Sequence, residues 1–501
     1  MPSNLGETKD ESNKKYVTSQ FHIFLSPDWS KVEMTSNELN FRPLFEPRGV
    51  AVVGASPKPS LAKNILNNIV SSGYDGNVAA VNSNYSKVDD VNCYKCILDV
   101  PFHVDLAVLC VRAESILPIL EECKRKAVGV AQIISSGFSE LDSLEGHARQ
   151  QQILRWANES ATTIVVGPNT FGVMNLHRPI IAVGENRIPR TIAGGVSGVF
   201  QSGQMVAMIH PLIGRGVGIS KVVTTGNEIN VTSAEIIHFL AADPQTEVIV
   251  SYSEGIKNVE LFAAACARAR EQRKPIIMLR VGAHPEVRMG ISRHTATQAS
   301  NCYEWDIRFL KELGVITVDS TEDLIETVVA FNAIRRPRGN RIAFVSFSGG
   351  MGNIMADLIL SARGMKLARF SEPLRKRLRD ILPRFANSFN PLDLSAQSAF
   401  DTEGLNSCMR VLGESGEFDI LLWGKDLPMT IDDGSPVGLA LKELTIQHPE
   451  IVIIPVSQMN GVSGGHQLDG SPPMFAGRPL LQGTAISIRA MDKVIEWHAS
   501  T

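Results

Sequence analysis

The 501-residue chain reads as an α/β protein of three doubly wound units, each built on a parallel sheet. Three observations predict this. Apolar β-branched runs of strand length, such as GVAVV at 49–53 and DLAVLCV at 105–111, alternate with amphipathic helical stretches. Forty glycines accompany only 6% aromatic residues, so aliphatic side chains fill the cores and many tight turns join the elements. Hydrophobic residues at 44% and charged residues at 20% lie near the globular average, and the length suits about three domains.

The first unit opens with strand 49–53, followed by a helix from Leu61 to about Ser71. Strands follow at 78–82, 105–111, 131–136 and 163–167, with helices at 114–127 and 147–159 between them. The second unit repeats the texture. Its strands are 195–201, 219–227, 247–255, 275–282 and 314–319, and helices are expected from Ser202, Ser233, Val259 and Thr321. A charged run with Pro and Gly, RRPRGNR at 335–341, reads as a solvated linker rather than a nuclear targeting signal. A third unit starts at RIAFVSFSGG (341–350), continues through strands 419–424 and 450–458, and closes with a helix at 488–498. Residues 1–40 are polar and read as an N-terminal arm with a short strand at QFHIFLS. The expected division is therefore an arm at 1–40, then units at 41–188, 189–336 and 337–501.

Composition excludes several function classes. A net charge of −3 gives no basic stripe for nucleic acid. The longest apolar runs are strand-length, short of the ~20 residues a membrane span needs, and MPSNLGETKDESNKK has no apolar segment of a secretory leader. Seven scattered cysteines fit a reducing cytoplasm better than a disulfide framework. Cys93 and Cys96 form a C-x-x-C with no second pair at zinc spacing, so the pair reads as inert and no metal site is expected.

Four turns could carry chemistry. Gly54, Ala55 and Ser56 follow the first strand, where backbone N–H groups can meet a phosphate at a helix start; an ordinary βα turn weighs evenly against that. The run is not a full G-x-G-x-x-G, and no P-loop motif occurs anywhere. GPNTFGVMN (167–175) makes a sharp turn at a carboxyl strand end, either a ligand site or a domain-linking turn. Ser202 with Gly203, and Gly226 with Asn227, could open two helices toward one phosphoryl group; alternatively Ser202 and Asn227 only cap those helices. His294, in SRHTAT (292–297), is expected in a polar, small-residue loop. A neutral imidazole there is a competent nucleophile toward phosphorus, with Glu254 of YSEGIKN as the carboxylate that steadies it. A plain surface histidine is the competing reading.

From Phe45 onward the chain resembles the NDP-forming acyl-CoA synthetases, relatives of succinyl-CoA synthetase. The matching pieces come in family order: LFEPRGVAVVGAS, VDLAVLCV, AQIISSGFSE, GPNTFGVMN, VFQSGQM, TTGNE, YSEGIKN, RHT, SGGMG, NPLDL and GRPLLQGTAISIRAM. The resemblance implies a Rossmann-like CoA-binding domain followed by two flavodoxin-like doubly wound domains. It implies that His294 carries the phosphoryl group and Glu254 steadies it. Ser202, Gly203, Gly226 and Asn227 match the phosphate-holding segments. Gly54, Ala55, Ser56, Asn82, Ser136, Gly137 and Phe138 fall in the loops that hold CoA, and Asn169, Thr170 and Phe171 line the acyl site.

The sequence departs from the family pattern in places. RHTATQAS stands where the family reads S-H-T-G, so Arg293, Ala296, Gln298 and Ser300 are off pattern, and Ser83 replaces the proline of V-N-P. No ATP-grasp module is evident. The resemblance therefore implies an α-type subunit of a cytoplasmic hetero-oligomer whose ATP-grasp β-type partner carries ATP and Mg, acting on a carboxylic acid. The alternative is a non-catalytic CoA-binding or regulatory subunit with a degenerate ligase loop. A serine-hydrolase reading of GVSGG (461–465) is dismissed, since a nucleophile elbow needs a helix straight after the serine and GGHQLDGSPP is loop.

Overall fold

The computed structural model describes residues 39–186, 192–295, 303–334, 336–384, 386–425, 434–459, 474–475 and 478–501. Residues 1–38 of the expected N-terminal arm, with its QFHIFLS strand, and the GVSGG run lie outside the described residues.

The first sheet contains β1 (Gly49–Val53), β2 (Asn77–Val81), β3 (Lys87–Val88), β4 (Val91–Tyr94), β5 (Leu106–Leu109), β6 (Val130–Ile133) and β7 (Ile164–Val166). Its order is β3-β4-β2-β1-β5-β6-β7, parallel except for the β3–β4 pair. Val50 pairs with Val78 on one side and Leu106 on the other, so β1 is central. Every residue of β1 is buried, because helices cover both faces; a continuous apolar run is the sequence mark of that position. The helix Leu61–Ser71 starts at Ser60, whose hydroxyl accepts from Lys63 N, and buries Ile65, Leu66 and Ile69.

The second sheet contains β8 (Gly172–Asn175), β9 (Ile180–Val183), β10 (Ala193–Phe200), β11 (Ile219–Thr224), β12 (Val248–Ser253), β13 (Ile276–Arg280) and β14 (Ile316–Val318). The order is β14-β13-β12-β10-β11-β8-β9, with β8 antiparallel to β11 and to β9. The hairpin β8–β9 falls inside the expected first unit, yet it completes the second sheet. Two hydrogen bonds from one asparagine tie it back: Asn68 Nδ2 donates to Val183 O (2.9 Å) and Glu185 O (2.8 Å).

The third sheet contains β15 (Arg341–Ser346), β16 (Lys366–Leu367), β17 (Leu392–Asp393), β18 (Ile420–Lys425) and β19 (Val452–Ser457), with Leu481–Gln482 at one edge; all its pairings are parallel. One apolar core runs without a break from the second sheet into the third, from Val196 and Val222 through Phe331 to Phe344 and Met491. At this junction Arg215 pairs with Glu326 at 2.8 Å, both side chains buried, and also donates to Leu480 O. The fold class is the expected one, a mixed α/β chain of mainly parallel, doubly wound sheets. No helix among the described residues is long and apolar enough to cross a membrane.

Candidate active site

Open α/β sheets bind ligands at the carboxyl ends of the strands where strand order reverses. In the second sheet β10 leads to β11 on one side and β12 returns to the other. Phe200 pairs with both Thr224 and Tyr252, so Gln201, Thr225 and Ser253 emerge side by side at one edge.

Gln201 fills that point. Its Oε1 accepts from Glu254 N (2.5 Å) and Gly255 N (3.2 Å), while its Nε2 donates to Gly255 O (2.8 Å) and Glu228 Oε2 (3.0 Å). Glu228 also accepts from Thr225 Oγ1 (2.7 Å) and Ser233 N (2.9 Å). Burial nevertheless pushes its carboxyl above the ordinary glutamate range, against the pull of the Lys257 ammonium and these hydrogen bonds.

Glu254 is 5% exposed. Its Oε1 accepts from Tyr252 OH at 3.4 Å, and its Oε2, fully buried, has no hydrogen-bond partner among the described residues. Burial and the neighbouring Glu254 carboxylate together raise the Tyr252 phenol. A carboxylate oxygen taken out of water without a donor is costly.

Two sequence expectations need correction here. Ser202 precedes a 3₁₀ turn at Gly203–Met208 and then a short helix at Ile209–Gly214, not one continuous helix, and its hydroxyl makes no capping bond. Gly226 and Asn227 do not open a helix at all. The next helix is Ser233–Ala242, started by a capping box in which Thr232 and Glu235 satisfy each other's backbone ends. Gly226 and Asn227 instead form a turn with Gly226 at φ +58. The two segments do converge: Gly226 N donates to Gln201 O (3.1 Å), and Thr225 N donates to Phe200 O (2.9 Å).

Asn169–Phe171 is the meeting place. A Cβ on Gly226 would lie 2.1 Å from Pro168 O, and one on Gly203 would lie 2.8 Å from Phe171 Cβ, so both positions require glycine for this close approach. Phe171 N donates to Thr224 Oγ1 (2.7 Å), and Asn169 Nδ2 donates to Asn227 Oδ1 (3.4 Å). On its other side this segment holds the first sheet, through Asn169 N to Ser135 O (2.9 Å) and Thr170 Oγ1 to Ile133 O (3.0 Å).

The first sheet makes a second crevice at its own reversal, between β1 and β5. Gly54 has φ +94, and a Cβ there would sit 2.4 Å from Cys110 O. Asn82 Nδ2 donates to Ala55 O (3.0 Å), fastening the turn that Ala55 and Ser56 form. Exposed residues 57–60 separate that turn from the helix, which begins at Leu61 as the sequence indicated. Ser135 Oγ donates to Val111 O, and a Cβ on Gly137 (φ +112) would lie 2.9 Å from Ala113 Cβ, so the loops after β1, β5 and β6 line one cleft. Ser136 is exposed on it and Phe138 is buried beneath it. The cleft has close backbone approach and glycines, features that suit a phosphate group.

His294 is not in a loop. Pro285–Thr295 is helical, with Pro285 and Glu286 in the first turn, and His294 is the next-to-last residue. This helix packs against the turn Ser139–Leu141 at the first crevice. The departing residues Ala296, Gln298 and Ser300 lie outside the described residues. Among the described residues no group of His, Cys, Asp and Glu could hold a metal ion, and burial pushes the Cys93 thiol up.

Sequence reasoning misses Gln201 and Glu140. Glu140 Oε1 accepts from Gly137 N (2.6 Å) and Phe138 N (3.1 Å), and Oε2 accepts from Asn227 Nδ2 (2.6 Å). The local signal for Glu140 is the glycine turn just before it, which leaves N–H groups in need of an acceptor.

Comparison with known proteins matches this layout. Residues 48–175 match the CoA binding domain family, and residues 193–331 match the family described as succinyl-CoA ligase like flavodoxin domain. The acetate–CoA ligase (ADP-forming) II subunit alpha of Pyrococcus furiosus is 32% identical over 358 residues, 71% of this chain and 76% of that protein. The chain belongs to the ADP-forming acyl-CoA ligase family. The 4-hydroxybutyrate–CoA ligase (ADP-forming) of Nitrosopumilus maritimus is 32% identical over 362 residues, covering 72% of this chain and 51% of its own length. The chain thus spans about half the length of several of the acyl-CoA ligases it matches. The solved dinucleotide forming acetyl-coenzyme A synthetase 1 of Ca. Korarchaeum cryptofilum, in complex with phosphate and ADP, shares the fold with a TM-score of 0.79 over 92% of this chain and 97% of that one, at 24% identity.

Proposed function

We propose that this chain is the α-type chain of an NDP-forming acid–CoA ligase, making acyl-CoA from a carboxylic acid, CoA and ATP. The observation that supports it best is Glu254: a buried carboxylate with one oxygen unpartnered among the described residues, at the reversal point of the second sheet, beside the Ser202–Gly203 and Gly226–Asn227 segments. A fixed negative charge there stabilises an imidazolium that forms when His294 takes a phosphoryl group.

In this reading Ser202 and Gly203 hold the phosphoryl oxygens, and the Gly226–Asn227 turn, whose N–H groups go to Gln201 O, Pro168 O, Glu140 and Gln150, forms the wall beside them. His294 accepts the phosphoryl group from ATP, releasing the nucleoside diphosphate, and passes it to the acid's carboxylate to give an acyl phosphate. Asn169, Thr170 and Phe171 hold the acyl phosphate. Gly54, Ala55, Ser56, Asn82, Ser136, Gly137 and Phe138 hold CoA, which supplies the thiol that displaces inorganic phosphate. The imidazole divides one transfer into shorter steps. Residues 41–188, apart from the β8–β9 hairpin that joins the second sheet, serve as the CoA-binding domain, 189–336 as the ligase domain and 337–501 as a third flavodoxin-like domain, with 1–40 as an arm.

ATP and Mg bind an ATP-grasp β-type subunit in a cytoplasmic hetero-oligomer. The alpha-subunit names of the Pyrococcus furiosus relatives support this. The test is thioester formation with and without that partner, using acetate and 4-hydroxybutyrate as trial acids. We expect acid- and CoA-dependent release of nucleoside diphosphate only from the complex. ATP-dependent thioester formation by the pure chain overturns the separate-subunit reading.

A further inference from the structure

We propose that Glu140 is a positioning residue that locks the CoA-side loop and the phosphate-side turn into one body, so that CoA and phosphate raise each other's affinity; this rests on the function proposed above. The geometry is a hydrogen-bond chain with fixed polarity. One oxygen of Glu140 holds the N–H groups of Gly137 and Phe138, and the other accepts from Asn227 Nδ2 at 2.6 Å. Asn227 is completely buried. Its second amide hydrogen goes to Gln150 Oε1 (3.0 Å), which also accepts from Ser139 Oγ (2.6 Å). Its Oδ1 accepts from Asn169 Nδ2, and its backbone carbonyl accepts from Lys257 Nζ (2.5 Å).

Both amide hydrogens of Asn227 are therefore used on first-sheet residues, and its carbonyl oxygen on the segment between the crevices. The amide cannot turn over without setting donor against donor at Asn169 and acceptor against acceptor at Glu140. A charge-assisted bond to a fully buried amide is also the strong member of such a chain. A ligand that orders Ser136–Phe138 orders Asn227 and Asn169 through Glu140, so the second ligand meets a turn already in place.

The polarity supplies a test. In Glu140→Gln the side-chain oxygen can still serve Gly137 and Phe138, but the new amide faces Asn227 Nδ2, donor on donor. In Asn227→Asp two carboxylates face each other. In the double variant the amide introduced at position 140 donates to the carboxylate introduced at position 227. That carboxylate still accepts from Asn169, and Gln150 turns over so that its amide donates to the new carboxylate and to Ser139. The experiment is isothermal titration of CoA into the full chain, with and without saturating inorganic phosphate, each variant's folding checked by thermal unfolding. For wild type, phosphate should tighten CoA binding at least about fivefold, and CoA should tighten phosphate by the same factor. Either single variant should bring that factor close to one, and Glu140→Gln/Asn227→Asp should restore most of it. A wild-type factor of one, a Glu140→Gln chain that keeps the full factor, or a folded double variant without rescue overturns the proposal and leaves the functional reading standing. A wild-type chain that binds no CoA overturns the functional reading, and this proposal with it.

Discussion

Gln201 holds the backbone of Glu254: its Oε1 accepts from Glu254 N at 2.5 Å while its Nε2 donates to the buried Glu228 carboxylate at 3.0 Å. One amide thus sets the exit of β12 against the exit of β10. Gln201→Leu keeps the bulk but orphans the N–H groups of Glu254 and Gly255 and one oxygen of Glu228. At ~1–3 kcal/mol for each buried group left unsatisfied, we expect at least about 2 kcal/mol of lost stability in urea unfolding. Wild-type stability for Gln201→Leu contradicts this hydrogen-bond assignment.

Glu254→Gln keeps size and removes charge. A preorganised charge beside a developing imidazolium contributes ~3 kcal/mol, so turnover of the complex should fall roughly 10²-fold. CoA affinity, measured by calorimetry, should stay unchanged, since Glu254 belongs to the second sheet. A full-rate variant would leave Glu254 as a strand-end residue.

Gly54 and Gly73 make a matched pair. Both have positive φ, but a Cβ on Gly54 meets Cys110 O at 2.4 Å whereas one on Gly73 meets nothing within 4 Å. Gly54→Ala should weaken CoA binding at least about tenfold, ~1.4 kcal/mol, because the β1 and β5 exits must part. Gly73→Ala should cost only about 1 kcal/mol of backbone strain and leave CoA binding intact. Equal CoA affinity in the two variants would remove the first crevice as the CoA site.

Arg215→Met leaves the buried Glu326 carboxylate unpaired. Removing one partner of a buried pair costs about 3–5 kcal/mol, and that loss should be greatest above the raised folded value of the Glu326 carboxyl. Burial already raises the Glu326 carboxyl, and Arg215 opposes this. Without the arginine the folded state holds a proton that the unfolded state has released. Stability then rises as pH falls through the raised folded value, and the deficit shrinks on acidification. Thermal unfolding across that range checks it; a deficit independent of pH would assign the loss to packing alone.

Much of this is legible in the sequence, and the gaps have physical causes. The fully buried β1 follows from GVAVV, because a strand covered on both faces needs no polar alternation. Glu254 is found at a strand end because EVIVSYS breaks into a polar turn. The helix through His294 is hidden: Ser, Thr and Ala in SRHTAT suggest a loop, although Pro285 and Glu286 are first-turn residues. Gly226–Asn227 imitates a helix start, although Thr232 and Glu235, a T-x-x-E capping box, mark the real one. Gln201 and Glu140 act on partners 53 and 87 residues away, and no local pattern reports such a bond.

The most direct test is whether His294 becomes phosphorylated during turnover. The chain, with the ATP-grasp subunit proposed above and labelled ATP, should take up label that is lost in acid and kept in alkali, as a phosphoramidate is and a phosphoserine at Ser202 or Ser292 is not. His294→Asn should take up none while still binding CoA, since it alters none of the loops after β1, β5 and β6. Label persisting in His294→Asn, or an active wild-type complex that never acquires it, would contradict the phosphohistidine mechanism.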